Sequence, residues 1–139
     1  MKKAVWFTAI SLGLVVSGCV TPNPAANAAL QAAASRPVTC SSKADCDAKW
    51  SRAIEWVKEN SEYKFQSVSD YVIQTMGPLP DDASPAFTIT RVSNPDGSAS
   101  FNFDGGCDNM FGCVPSMLEE QASFVDFIMG APAKTAAAS

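Results

Sequence analysis

Histidine is missing from this chain of 139 residues. That removes the usual neutral-pH general base and the commonest nitrogen ligand for metals. There is also no G-x-S-x-G elbow, no phosphate-cradling glycine loop and no C-x-x-C pair. These absences exclude the familiar motif-borne routes to serine hydrolysis, nucleotide binding and dithiol redox chemistry. No segment repeats. The longest apolar run, Ala4 to Val16, falls short of the ~20 residues that a membrane-spanning helix needs. No catalytic residue, metal ligand set or cofactor is expected.

The short run has its own logic. Lys2 and Lys3 precede it, and the small residues of "VSGC" follow, ending at Cys19. A basic start, an apolar middle and a small-residue end have the order of a secretory signal. The "VSGC" segment resembles the lipobox of bacterial lipoproteins. Small Ser17 and Gly18 let a peptidase reach an extended backbone, and the Cys19 thiol can take a diacylglyceryl thioether. The resemblance implies that residues 1–18 are removed and that Cys19 becomes a lipidated chain end. Val20 in place of Asp after that cysteine implies, by similarity to enterobacterial lipoproteins, an outer-membrane destination facing the periplasm.

Loss of Lys2 and Lys3 would leave 8 basic against 14 acidic side chains, a charge of −6. An acidic body argues against nucleic acid and against docking on anionic lipid by charge. The expected membrane contact is therefore through acyl chains on Cys19.

Residues 19–38 are rich in Ala and carry Pro22, Pro24 and Pro37. Alanine favours helix, but the stretch has few large apolar side chains with which to bury a face, so it is expected to be a flexible tether. Residues 130–139 read as a flexible tail. Between them, residues 39–129 suffice for one small domain with a limited core, which covalent staples would support.

Within that domain, a helix is expected from Ser42 to Asn60. Ser42 caps it, Asp45 and Asp47 sit in its first turn, and Cys46, Trp50, Ala53, Ile54 and Val57 form its buried stripe. Trp56 lies off that stripe, and a wide buried face accounts for it more simply than a partner contact. In residues 62–76, Tyr63, Phe65, Tyr71 and Ile73 alternate with polar residues. This is the period of a half-buried strand. Unbroken parity favours one long, bulged strand over two strands turning at Ser67 to Asp70.

A hairpin follows. Phe87 and Ile89 alternate on the way out, Phe101 and Phe103 on the way back, and "NPDG" at 94–97 supplies a type I turn. A last helix is expected from Pro115 to Met129, with Leu118, Ala122, Val125 and Met129 as its stripe, flanked by Phe124 and Ile128. The order α-β-β-(β)-α predicts an α+β two-layer sandwich. Two helices would cover one face of a three- or four-stranded antiparallel sheet, leaving Lys64, Gln66, Thr88, Thr90 and Asn102 on a wet face.

Cys40, Cys46, Cys107 and Cys113 form two C-x5-C pairs, an even set that reads as two disulfides. Three connectivities are open. Pairing across the clusters closes loops of about 70 residues, worth roughly 4.4 kcal/mol for the first bridge in the chain-entropy model. Local pairing closes loops of about seven, worth roughly 2.4 kcal/mol each. Geometry and folding kinetics favour the neighbours, so Cys40–Cys46 and Cys107–Cys113 are preferred.

Taken together, "VTCSSKADCDAKWSRAIEWV", "DYVIQTMGP" and "CDNMFGCVP" resemble a family of short proteobacterial lipoproteins with paired cysteines and a "CDNMFGC" segment. The resemblance implies the architecture and carries no activity. Two further clusters have plain readings. Asp81 and Asp82 read as turn residues rather than an acid–base pair. Asp104, Asp108 and Asn109 lack the spacing of a calcium loop, and Asp108 and Asn109 read as partners for turn backbone. The expectation is a lipid-anchored envelope protein with a structural or protein-binding domain. Met110 and Phe111 would form its contact tip, with Phe111 projecting to solvent. The competing expectation, an inhibitor or accessory of a cell-wall hydrolase or a hydrolase itself, calls for a cleft with paired carboxylates.

Overall fold

A computed structural model describes residues 23–130. The lipobox, Cys19 and residues 131–139 lie outside that span. The described chain runs α1 (Pro24–Ala34), β1 (Val38–Cys40), α2 (Lys43–Asn60), β2 (Phe65–Val68), β3 (Val72–Thr75), β4 (Ala86–Ser93), β5 (Ala99–Gly106) and α3 (Met117–Ile128). The strands form one antiparallel sheet in the order β1-β5-β4-β3-β2. The fold is α+β, with five strands rather than three or four and one helix more than expected.

α2 forms as its sequence dictates. The Ser42 hydroxyl accepts from the Asp45 N–H at 3.3 Å, and Cys46, Trp50, Ala53 and Val57 are buried. Trp56 is buried with them, 1 % exposed, because the helix lies under aromatic residues on two sides. Its ring meets Phe87, Phe103 and Phe124 edge-on, with centroids 5.1, 5.8 and 5.3 Å away. Its indole N–H donates to the Ser123 hydroxyl at 3.1 Å. Such edge contacts suit the charge distribution of aromatic rings, and the hydrogen bond satisfies the polar atom that burial would orphan.

The sheet presents Ile73, Phe87, Ile89 and Phe101 to this layer, all buried, with Phe65 and Phe103 partly buried beside them. β4 and β5 pair from Ala86↔Gly106 to Ser93↔Ala99. The turn between them places Gly97 at φ +86°, with its N–H donating to Asn94 O at 3.1 Å. Lys64, Gln66 and Asn102 on the other face are exposed, and Thr88 and Thr90 half-buried.

Residues 62–76 form two strands, not one. β2 and β3 pair antiparallel, with a shift in register between Phe65 and Ser67, and the chain reverses at Ser69 to Tyr71. The Ser69 N–H donates to Val72 O at 2.9 Å, and its hydroxyl accepts from the Val72 N–H at 3.1 Å. The Ser69 carbonyl accepts from the Trp50 indole at 2.9 Å, tying the turn to α2. Alternation survives across a tight hairpin with a bulge, so parity alone could not tell one strand from two. Tyr71, on the expected apolar parity, lies in the turn and is 66 % exposed.

α3 begins two residues later than expected. Ser116 caps it, and the Ser116 and Glu119 side chains reciprocally bond each other's backbone N–H. Pro115 therefore precedes the cap. The buried stripe is also turned. Phe124 and Ile128 are fully buried with Ala122 and Val125, whereas Leu118 is half-buried and Met129 is 43 % exposed. The turn follows from α3 having two neighbours, the α2–sheet layer and α1.

The stretch expected to be a tether contains α1, an ordered helix, and the first residue of β1, an edge strand. Asn23 caps α1 through its side chain, and Pro24 occupies the first turn. Ala26, Ala29, Leu30 and Ala33 face Ala122 and Phe127 of α3 across a narrow groove. Ala34 is buried, its carbonyl accepts from the Gln121 amide at 3.2 Å, and Arg36 pairs with Asp126. Small side chains bury little area each, but they let α1 approach an apolar face that α3 already presents. Val38 then pairs with Phe101, and Cys40 with Ala99, at the sheet edge.

Candidate interaction site

Two loops meet at the end of the sheet opposite the 94–97 turn. The first, residues 76–85, joins β3 to β4. The second, residues 107–115, joins β5 to α3. Both pairs of cysteines are bonded to their neighbours, Cys40 to Cys46 and Cys107 to Cys113, with Cα separations of 5.0 and 5.5 Å. The first bridge pins β1 to the opening turn of α2. The second closes the loop that carries Met110 and Phe111.

The first loop is held from below by Tyr63. Its hydroxyl donates to Asp82 Oδ2 at 2.7 Å and accepts from the Leu79 N–H at 3.1 Å. Gly77 has φ +87°, and a Cβ there would fall 2.8 Å from the Tyr63 ring, so only glycine lets the chain pass over that ring. Asp82 Oδ1 accepts from the Ser84 N–H at 2.8 Å. That bond, with the Tyr63 hydroxyl after it, holds the Asp82 carboxyl below its ordinary range.

The second loop is hung on the first. Asn109 Nδ2 donates to Asp81 O at 3.0 Å, and the Val114 N–H donates to Ala83 O at 2.9 Å. Pro80 and Asp108 form a bridge between them. Within the tip, Asn109 Oδ1 accepts from the Phe111 N–H at 2.9 Å, and Gly112 turns the chain with φ +92°. Asn109 thus satisfies turn backbone with both ends of its amide. Asp104 Oδ1 likewise bonds its neighbour, the Gly105 N–H. Among the described residues no three acidic or sulfur side chains gather to hold a metal ion.

The outcome is a display of apolar side chains on a tied base. Met110 and Phe111 are each 90 % exposed, with Val114, Leu79 and Met76 also exposed on the same two loops. The sequence pointed to the tip through its cysteine spacing. It did not reveal Leu79, Met76 or Val114, because the docking of one loop on the other joins residues far apart in the chain.

The two loops carry charge of one sign, and Lys64 stands at the foot of the first, its carbonyl accepting from the Met76 N–H at 2.9 Å. Between Lys64 and Lys134 the sequence holds a single basic residue, Arg91, against nine acidic ones. Arg91 is spent elsewhere, donating to Asp47 at 3.1 Å with its side chain 12 % exposed. Asp81, Asp104 and Asp108 stand exposed on or beside the two loops.

A second concavity lies between α1 and α3, a groove of about 520 Å³ lined chiefly by Ala26, Ala29, Leu30, Ala33, Ala122 and Phe127. Glu119 and Asp126 also border it, seven residues apart on α3 and so about 10 Å apart along its axis. Each carboxylate is engaged. Glu119 closes the capping box with Ser116, which holds its carboxyl below the ordinary range, and Asp126 pairs with Arg36. Neither is placed as a proton donor. Glu120 is the exception among the carboxylates. It is 5 % exposed, and burial, then the neighbouring Glu119 charge, push its pKa up.

The fold and site together define a class: a two-layer α+β domain that displays a disulfide-closed, acidic-flanked apolar tip. No protein-family model, curated protein or solved structure matches the chain.

Proposed function

We propose that this is a lipid-anchored bacterial envelope protein whose domain serves as a protein-binding module in the periplasm, contacting its partner through Met110 and Phe111. The observation that carries the binding reading is the tip itself. Two large apolar side chains stand 90 % exposed on a loop closed by a disulfide and bonded to a second loop. An exposed pair of this kind costs solubility, and holding it rigid lowers the entropy lost on binding. Support for the anchor comes from the lipobox resemblance at "VSGC", with Cys19 as the acylated residue and the outer membrane as the destination. The competing reading, action on or beside a cell-wall hydrolase, gains no support from the α1–α3 groove, whose two carboxylates are already committed.

Labelled palmitate tests the anchor. The full chain expressed in a Gram-negative host should incorporate the label, and Cys19→Ser should abolish incorporation. Equal labelling of both would remove the anchor from the proposal.

A further inference from the structure

We infer that the Met110–Phe111 tip seats in an apolar pocket of another envelope protein whose rim is basic. This rests on the reading of the domain as a binding module, and names the chemistry of its partner. Three occupants compete for an exposed apolar tip: a lipid surface, a second copy of the chain and a different protein. The charge pattern separates them.

A bilayer containing anionic phospholipid is disfavoured. Inserting Phe111 would bring Asp81 and Asp108 against the headgroups, and no Lys or Arg on either loop would offset the repulsion. Peripheral contacts usually pair apolar insertion with basic residues, and this site has the opposite sign.

A second copy is disfavoured by the same arithmetic. Among the described residues the roomier apolar concavity is the α1–α3 groove, which Glu119 and Asp126 border. A smaller one at Tyr63 and Phe65 carries Glu62 beside Lys58 and Lys64 at the foot of the first loop, where the Met76 N–H donates to Lys64 O at 2.9 Å. Seating the tip in the groove would set acidic residues against acidic residues, and seating it at Tyr63 would bring the acidic first loops of the two copies together, costs that specific interfaces avoid.

A basic-rimmed apolar pocket answers both features together. Phe111 supplies a rigid aromatic anchor, the kind of side chain that dominates interface energetics. Met110 beside it adapts to an irregular pocket wall. Asp81, Asp104 and Asp108 meet the rim, where opposite charges steer encounter and fix orientation. The tip needs little rearrangement to bind, since the Cys107–Cys113 bridge and Asn109 already hold it.

The test places a photoreactive benzoylphenylalanine at position 111 of the full chain in living cells, with a control at Ser93 on the far end of the β4–β5 hairpin. The expected result is a discrete protein adduct from position 111 and none from position 93. Its crosslinked residue should map to an apolar site flanked by Lys or Arg. In Asp81→Asn/Asp104→Asn/Asp108→Asn, adduct yield should fall about tenfold, at the low end of what electrostatic steering by several charges supplies. These exposed positions leave the fold untouched, and the amide introduced by Asp104→Asn keeps an oxygen for the Gly105 N–H. An adduct with acyl lipid or with a second copy would overturn the inference. So would a protein adduct whose yield ignores the three Asn changes, although the binding-module reading would then stand. No protein adduct at position 111 would remove both.

Discussion

Trp56→Ala should remove a large share of the domain's stability. Trp56 is 1 % exposed, touches three other aromatic rings and donates its one polar hydrogen to Ser123. Truncating a buried Trp or Phe to Ala costs about 3–5 kcal/mol through lost transfer energy and an unfilled cavity. A domain of this size is typically stable by about 5–15 kcal/mol, so at the low end of that range the variant would sit near its folding threshold. At about 4–8 °C per kcal/mol for a domain of 60–100 residues, the melting midpoint should fall by at least ~12 °C. Trp56→Phe keeps a ring in the cavity but gives up the hydrogen bond and part of the volume, and should cost about 1–2 kcal/mol. Combined with Ser123→Ala, the two changes should couple by about 0.5–1.5 kcal/mol if the indole–hydroxyl bond contributes. Urea titration followed by far-UV circular dichroism measures all of these without depending on the altered chromophore. A Trp56→Ala midpoint corresponding to less than about 1 kcal/mol, at unchanged slope, would refute a core placement and return Trp56 to the surface.

Two further outcomes follow from the bridges and the carboxylates. Peptide mapping under non-reducing conditions should recover Cys40 with Cys46 and Cys107 with Cys113. Replacing either pair by Ser should cost about 2.4 kcal/mol, and a loss nearer 4.4 kcal/mol would point to a long loop and a different connectivity. Glu120 is protonated more readily folded than unfolded, so its contribution is complete at acid pH and is lost as pH rises through its folded pKa. Glu120→Gln should therefore raise the melting midpoint at pH 7 and flatten its decline above pH 4.5, the ordinary value for the group. A variant no more stable than the parent at pH 7 would show that burial imposes no penalty on this carboxylate.

What the residues disclosed in advance depended on the scale of the contact. α2 and the β4–β5 hairpin carry their own caps, turns and alternation, so Ser42, Gly97 and the paired phenylalanines announce them. Neighbour pairing of cysteines was favoured because each pair lies close in the chain. The reversal at Ser69 was open only as the second alternative, because what distinguishes it from a strand is a backbone carbonyl answering Trp50 nineteen residues earlier. β1 was hidden by its length, three residues after a proline. α1 was hidden because the apolar surface that holds it belongs to α3. Its own alanines show no strong stripe, and the same second contact turned the α3 stripe toward Phe124 and Ile128. At the tip, local chemistry placed Met110 and Phe111 in solvent. Tyr63, which holds the base through Asp82 and Leu79, gave no such signal.

The early start of α1 alters the mechanics of the proposed anchor. A slack leader from Cys19 to Val38 would let the domain roam up to about 68 Å, at ~3.6 Å per extended residue. With helix from Pro24 onward, five residues remain, and their reach is about 18 Å. An acylated chain of this build would resemble a mooring bollard more than a kite on a string. Its working radius would be the first shell above the bilayer, so any partner would have to be resident at that surface or be carried to it.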